Sequence, residues 1–382
     1  MKFILAPDSF KESMSAKEAA EAMQRGIKRA MPEALCVRVP MADGGEGTLE
    51  SLLESRDAER VLVEVKDPLM RKVQASYGIL EGGKSAVIEI AQASGIHLVD
   101  REQRNPLIAS SYGVGELIKN ALDRKVKHIL IGLGGSASND GGVGMLRALG
   151  ARFLDKEGKE LEEGGAALKN LNHLDLSALD SRLKSVAIEV ACDVNCELVG
   201  EQGASMIFGA QKGASASMIK ELDTALSHYA QTINRQLGVD IAHVAGAGAT
   251  GGLGAGTLLL NAHLQKGIDL IIKHTQLEEK IKGADFVFTG EGSIDYQTLF
   301  GKTALGVSLV AQRAKVPVVV FAGNIGKGAE ALYDYGIRAM FGILPGVCDL
   351  KQALKEGAIN LQNTTENVVR LIGVKRPNAK DI

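Results

Sequence analysis

The 382-residue sequence lacks most of the features that would tie it to a special environment. Cysteine is scarce: Cys36, Cys192, Cys196 and Cys348 lie far apart except for one C-x-x-x-C spacing. That excludes a disulfide framework and fits a reducing compartment. No apolar run reaches the roughly 18 residues that a membrane helix needs. The first run, FILA (3–6), meets Pro7-Asp8 at once and is too short for the core of a signal peptide, so a cytoplasmic location is expected. An excess of charge is also missing. With 44 basic and 46 acidic residues the net charge is −2, which gives no reason to expect nucleic acid or an anionic membrane as partner. An anionic ligand must therefore be met locally, by lysine, arginine, main-chain N–H groups or a metal.

The familiar nucleotide and metal motifs are absent too. Gly301-Lys302-Thr303 offers the end of a P-loop, but Tyr296 stands where its first glycine belongs; Gly326-Lys327 fails in the same way at Phe321. Cys192 and Cys196 have no second pair to complete a zinc site, so packing is the expected role. The seven histidines show neither metal spacing nor the surroundings of a triad.

What is present is glycine, 45 residues against an expected share of about 7%, with no G-X-Y period. The glycines cluster at 44–47, 132–144, 246–256 and 290–292, a distribution that suggests ligand loops rather than low complexity. Short apolar runs alternate with helical patterns, which predicts an α/β fold with a mostly parallel sheet. Candidate strands are 3–6, 36–40, 86–91, 128–132, 186–192, 285–290, 316–323 and 340–344. Several are apolar on both faces, as strands buried between helix layers are. Ser15 and Glu18 form a capping-box pattern ahead of a helix that Pro32 ends, and further helices are expected at 45–55, 113–123, 142–149, 215–236, 254–264, 303–314 and 349–357. The stretch 61–84 alternates and carries turn signals at Asp67-Pro68 and Gly82-Gly83, so it reads as a hairpin region opening a second domain.

Polar, glycine-rich segments follow the strands, and in open parallel sheets ligands bind beyond the carboxyl ends of the strands. The loop 132–142, GLGGSASNDGG, has bare N–H groups ahead of a helix and reads as an anion site. Gly246-x-Gly248-x-x-Gly251 matches a dinucleotide fingerprint but follows no convincing buried strand. The carboxylates Asp8, Asp43, Glu46, Asp140, Asp193, Glu291 and Asp295 all sit on the segments after strands. Helix capping is the ordinary role of any one of them. Together they form the oxygen-rich set that suits Mg²⁺, and one could deprotonate a hydroxyl. Lys11, Lys212 and Lys302 stand near glycine or serine loops, where they would be solvated surface cations or partners of phosphate oxygens.

These motifs add up. PDSFKES (7–13), ADGGEG (42–47), DPLMRKVQASYGIL (67–80), RNPLIASSYGVGELI (104–118), GLGGSASNDGG (132–142), ACDVNCELVGEQGA (191–204), FGAQKGA (208–214), GAGATGGLGA (246–255) and TGEGSIDYQTLFGK (289–302) resemble, in order and over the whole chain, the bacterial glycerate kinases of glyoxylate and sugar-acid degradation. The resemblance implies a cytoplasmic enzyme that phosphorylates D-glycerate with ATP and Mg²⁺, with 2-phosphoglycerate favoured over 3-phosphoglycerate. It implies two α/β domains: a discontinuous flavodoxin- or Rossmann-like domain with a parallel sheet (1–61 and 285–382) and an inserted α/β domain (62–284), with the active site in the cleft between them. The partners are small molecules, with a homo-oligomer left open.

On this reading Asp8, Lys11 and Asp43 carry the catalysis, with Asp8 or Asp43 as base. ATP lies against Gly134, Gly135, Ser136, Ser138, Asn139, Asp140, Gly290, Glu291, Gly292 and Lys302. The substrate is met by Ser9, Lys11, Arg71 and Lys212, and Mg²⁺ by Asp193 and Asp295, with Asp43 as the alternative. The sequence departs from the family pattern where Ser293 replaces an arginine and Ala210 a proline. Two rivals remain at this point: a dinucleotide-dependent oxidoreductase of a small hydroxy acid, and a sugar-acid sensor without enzymatic activity.

Overall fold

The computed structural model describes residues 1–42, 48–55 and 58–374. Asp43 and Glu46 therefore lie outside the described residues. The strands run β1 (Lys2–Leu5), β2 (Leu35–Arg38), β3 (Ala58–Lys66), β4 (Lys72–Leu80), β5 (Ser85–Glu89), β6 (His128–Gly132), β7 (Arg152–Leu154), β8 (His173–Asp175), β9 (Ala187–Ala191), β10 (His263–Gln265), β11 (Phe286–Ile294), β12 (Val318–Ile325) and β13 (Ile337–Gly342). The chain divides into two compact units: Met1–Asp43, Glu50–Ser55 and Ile268–Ile382 form the first, and Gly44–Leu49 with Arg56–Gly267 form the second.

The first unit is a five-stranded parallel sheet in the order β13-β12-β11-β1-β2. Numbered within the unit, that order is 2-1-3-4-5, the flavodoxin-like doubly wound arrangement the sequence leads one to expect. Its central strands are apolar on both sides, as in Val318–Ala322 of β12, because helices cover both faces. Aromatics are few, but five of the nine phenylalanines lie in this sheet. Phe3, Phe288, Phe321 and Phe341 form a row with ring centroids 5.2, 5.3 and 6.1 Å apart.

The helix Ala16–Ala30 has the expected capping box, Ser15 Oγ accepting from the Glu18 amide while the Glu18 carboxylate accepts from the Ser15 amide. It packs against the long helix Gly357–Ile372, which the sequence reading stopped short of at residue 357. The two approach so closely at Gly26 that a Cβ there would stand 2.4 Å from the Gln362 carbonyl.

The second unit has a six-stranded sheet, β10-β9-β6-β5-β4-β3, and a small antiparallel pair, β7-β8. The four strands β5, β6, β9 and β10 are parallel, and β4 and β3 extend them antiparallel, with β3 at the edge. The expected hairpin is there. Asp67 closes its turn by accepting from the Leu69 and Arg71 amides, and Glu81, Gly82 and Gly83 take positive φ at the next turn. β3 alternates buried and exposed residues because only one of its faces is covered.

Two further elements differ from expectation. The strand expected at 285–290 runs on to Ile294, since Gly290–Ile294 keep pairing with Phe321–Ile325. The helix expected at 254–264 is Ala249–Leu258 instead, interrupted by left-handed Thr250, Gly251 and Gly252, and His263–Gln265 form β10.

Gly26→Ala tests the helix crossing. The gain in helix propensity is about 1 kcal/mol, but a contact below 3 Å with main chain forces the helices apart. The expected net loss is about 1–3 kcal/mol, read as a lower urea midpoint at unchanged slope.

Candidate active site

In the first unit the polar residues gather at the carboxyl end of β1. That strand ends at Leu5, level with Phe288, while β11 runs six residues further. The segment after β1 continues alongside it, with the Asp8 amide donating to the Gly290 carbonyl at 2.8 Å. Gly290 is needed there, since a Cβ on it would stand 2.1 Å from the Phe321 carbonyl, and Gly292 lies beside the Phe10 and Lys11 main chain. So Asp8, Ser9, Lys11, Gly290, Glu291, Gly292 and Lys302, seven residues named from the sequence, share one region of one unit.

Asp8 is half-buried. One carboxylate oxygen accepts from the Ser9 amide at 2.6 Å, and the other accepts from the Thr303 hydroxyl. Thr303 opens the helix Thr303–Arg313 and is buried. It was not among the residues predicted for the site. Its signal was the discarded Gly301-Lys302-Thr303, which serves here as a helix start rather than a P-loop. Lys302 Nζ lies 3.5 Å from Glu291 Oε2, so this region carries both signs of charge at short range. Lys11 is exposed.

In the second unit the loop after β6 is built from the inside. Ser138, Asn139 and Asp140 are buried, and their side chains bond to the protein. Asp140 Oδ2 accepts from the Ser111 amide and hydroxyl, both at 2.8 Å, and from the Gly144 amide; Oδ1 accepts from the Gly142 amide. Ser94, Ser136 and Ser138 form a triangle of hydroxyls 2.9–3.2 Å apart. Asn139 Nδ2 donates to Ser205. The residues that face open space are Gly134 and Gly135, which border two hollows of about 360 and 240 Å³.

The second glycine cluster explains itself against this loop. The Gly141 amide donates to the Gly251 carbonyl at 3.0 Å. A Cβ on Gly251 would lie 2.1 Å from the Ser138 carbonyl, one on Gly252 2.8 Å from Gly141 Cα, and one on Gly256 2.9 Å from Gly142 Cα. Two main chains press together without side chains between them. The fingerprint-like Gly246-x-Gly248-x-x-Gly251 is thus packing, with Gly248 and Gly251 closed off by the Glu197 and Ser138 carbonyls.

Lys212 is not the solvated surface cation that lysine ordinarily is. It is 2% exposed, and its ammonium donates to the Ser138 carbonyl at 2.5 Å. Burial pulls its pKa down to about 8, against the opposing pull of Asp140 and Cys196. Arg71 stays in its hairpin, its donors engaged by Asp67, Gln103 and the Leu98 carbonyl. Asp193 follows β9 and is exposed, with Oδ1 accepting from the Gly267 amide; Asp295 caps the turn Tyr296–Phe300 through the Gln297 amide. Asp43 lies outside the described residues. Among the described residues no three His, Cys, Asp or Glu side chains are grouped as metal ligands, and no helix is long and apolar enough to cross a membrane. Cys192 and Cys196 are buried against Gly246 and Gly248, and burial raises both thiols, Cys196 to about 11, as packing residues require.

Parallel α/β sheets with acid, lysine and bare amides gathered beyond their strand ends define a ligand-handling α/β protein of the doubly wound class. The chain belongs to the glycerate kinase family, which it matches over residues 3–373. It is 50% identical to a glycerate kinase of Haemophilus influenzae over 98% of this chain and 100% of that one. It is 46% identical to the glycerate 2-kinase of Escherichia coli, over 99% and 100%. A crystal structure of a protein named glycerate kinase 2 from Salmonella typhimurium LT2 superposes with a TM-score of 0.89 at 46% identity, covering 97% of this chain and 98% of that one.

The Asp140 knot makes a clear stability test. Asp140→Ala leaves the buried Ser111, Gly142 and Gly144 amides without their acceptor, at about 1–3 kcal/mol for each such group. Denaturant unfolding is expected to show a loss of at least about 3 kcal/mol.

Proposed function

We propose that this protein is a cytoplasmic kinase that transfers the γ-phosphoryl group of ATP to D-glycerate, with 2-phosphoglycerate as product. The match to the glycerate kinase family over nearly the whole chain carries this reading. The Escherichia coli relative, named a glycerate 2-kinase, supports the choice of hydroxyl.

Phosphoryl transfer is chiefly positioning and charge stabilisation. In the second unit the main-chain amides of Gly134–Ser136 take phosphate oxygens, because the side chains that follow are already committed inward. In the first, Asp8 is the base: it removes the proton of the glycerate hydroxyl, the freed oxygen bonds to the γ-phosphorus, and ADP leaves as that bond's counterpart breaks. Thr303 holds the Asp8 carboxylate in place, and Lys11 and Lys302 offset the charge that develops on the transferred group. Ser9 and Lys11 face the glycerate.

Asp193 and Asp295 are carboxylates, the hard oxygen donors that Mg²⁺ takes, and a cation that keeps most of its water would need only one or two such ligands. When bound, Mg²⁺ neutralises phosphate charge.

Incubation with ATP, Mg²⁺ and D-glycerate is expected to release ADP, and phosphorus NMR to show the 2-phosphate. No ADP release, or a 3-phosphate, removes the corresponding part of the reading. Asp8→Asn is expected to lower kcat by about 10²–10⁴ while circular dichroism stays unchanged. Thr303→Val is expected to cost about tenfold, the worth of one hydrogen bond to a charged group, and Thr303→Ser to restore it.

A further inference from the structure

We propose that the hollow of about 240 Å³ bordered by Gly134, Gly135, Ser136, Gln211, Lys212 and Thr250 is an oxyanion subsite whose cation is Lys212. This deepens the proposed function, and rests on it for the two sources of the oxyanion: a phosphate of ATP or the carboxylate of glycerate.

Lys212 is buried, yet the Ser138 carbonyl is its one hydrogen-bond partner among the described residues. An ammonium has three donors. The nearest opposite charge, Asp140, is taken up by three main-chain amides and the Ser111 hydroxyl, and forms no ion pair with it. A buried cation in that state is costly unless an anion completes its shell. The depressed lysine pKa has burial as its main cause, which agrees with a shell lacking a counter-ion.

The fold also makes room for the ammonium. A Cβ on Gly251 would stand 2.8 Å from Lys212 Nζ, and Gly251 has φ +75°, so this position tolerates a glycine only. The hollow adds what an oxyanion needs beside a cation: the main chain of Gly134–Ser136 and the Gln211 amide. Its volume is small, enough for one phosphate or carboxylate group with its immediate attachments and not for a dinucleotide.

The test is calorimetric, on the full chain, with MgATP and D-glycerate titrated separately. Two buffers of different ionisation enthalpy at pH 8.5 report the protons taken up. The charged or titratable groups that face Lys212 are Asp140 and Cys196, and burial raises the Cys196 thiol to about 11, so it stays protonated at this pH. The occupant is expected to bring a fraction of a proton with it, because an anion beside the ammonium raises the lysine back toward its ordinary value. Uptake with MgATP alone assigns the phosphate, and uptake with glycerate alone assigns the carboxylate. Uptake with neither overturns the subsite.

In Lys212→Met and Lys212→Gln the same ligand is expected to bind at least about tenfold more weakly, with the other unchanged. The glutamine variant keeps an N–H for the Ser138 carbonyl while removing the charge. Wild-type affinity in it, or an equal loss of both ligands, means the lysine only shapes the loop and overturns the proposal. The wild-type proton count stands even if the methionine variant does not fold. A protein that binds MgATP with proton uptake but never phosphorylates glycerate sinks the functional reading and leaves the subsite. An active glycerate kinase with no proton uptake does the reverse.

Discussion

The contact of main chain on main chain between 138–142 and 251–256 is the constraint on which the second unit's chemistry depends. Side chains could not make it: each of Gly251, Gly252 and Gly256 meets the opposite backbone below 3 Å from where a Cβ would be. The contact fixes the inner edge of the loop after β6, so that its outer edge, Gly134–Ser136, has a defined shape. Asp140 then ties the loop to the start of the helix Tyr112–Asp123, and Lys212 ties it to the turn Ala210–Lys212. Three chain segments are locked around a loop that shows almost no side chain to solvent. A rigid array of amides pays little reorganisation energy when charge develops beside it, which is the condition for electrostatic catalysis.

The two units handle charge differently. In the first, side chains of opposite sign stand at a strand end, Asp8, Lys11, Glu291 and Lys302, with Asp8 held by a threonine and Gly290 admitting the neighbouring chain. In the second, the groups turned to open space are main chain, at Gly134 and Gly135, and the charged residues Asp140 and Lys212 are buried. That division suits a near-neutral protein with two anionic substrates. Local cations and dipoles do the work that a net charge of −2 cannot.

Much of this was legible in the sequence. Strands apolar on both faces, such as Val87-Ile88 and Ile129–Ile131, marked a parallel sheet, and the Ser15/Glu18 pair marked a helix start to the residue. The gathering of Asp8 with Gly290–Gly292 was legible because polar residues followed each strand. Other features were not. The helix Gly357–Ile372 contains Asn360, Gln362, Thr364 and Thr365, whose polarity hid a face that is buried on Gly26. Lys212 was invisible as a core residue because lysine is almost never buried unpaired. The glycines of 246–256 looked like a ligand fingerprint, since sequence cannot distinguish a glycine that admits phosphate from one that admits another backbone. Ser293, in place of the family arginine, pairs with Asn324 across β11 and β12, an exchange of charge for an inter-strand hydrogen bond.

The position of β1 has a consequence for biosynthesis. It lies inside its sheet, between β2 and β11, yet β11 follows it by about 280 residues in the chain. At about 5–20 residues per second a ribosome needs roughly 15–55 s to deliver that partner. During this interval the whole second unit emerges, while the apolar Phe3-Ile4-Leu5 waits with one edge unpaired. The inserted unit is therefore synthesised whole before the sheet that contains β1 can close on β11.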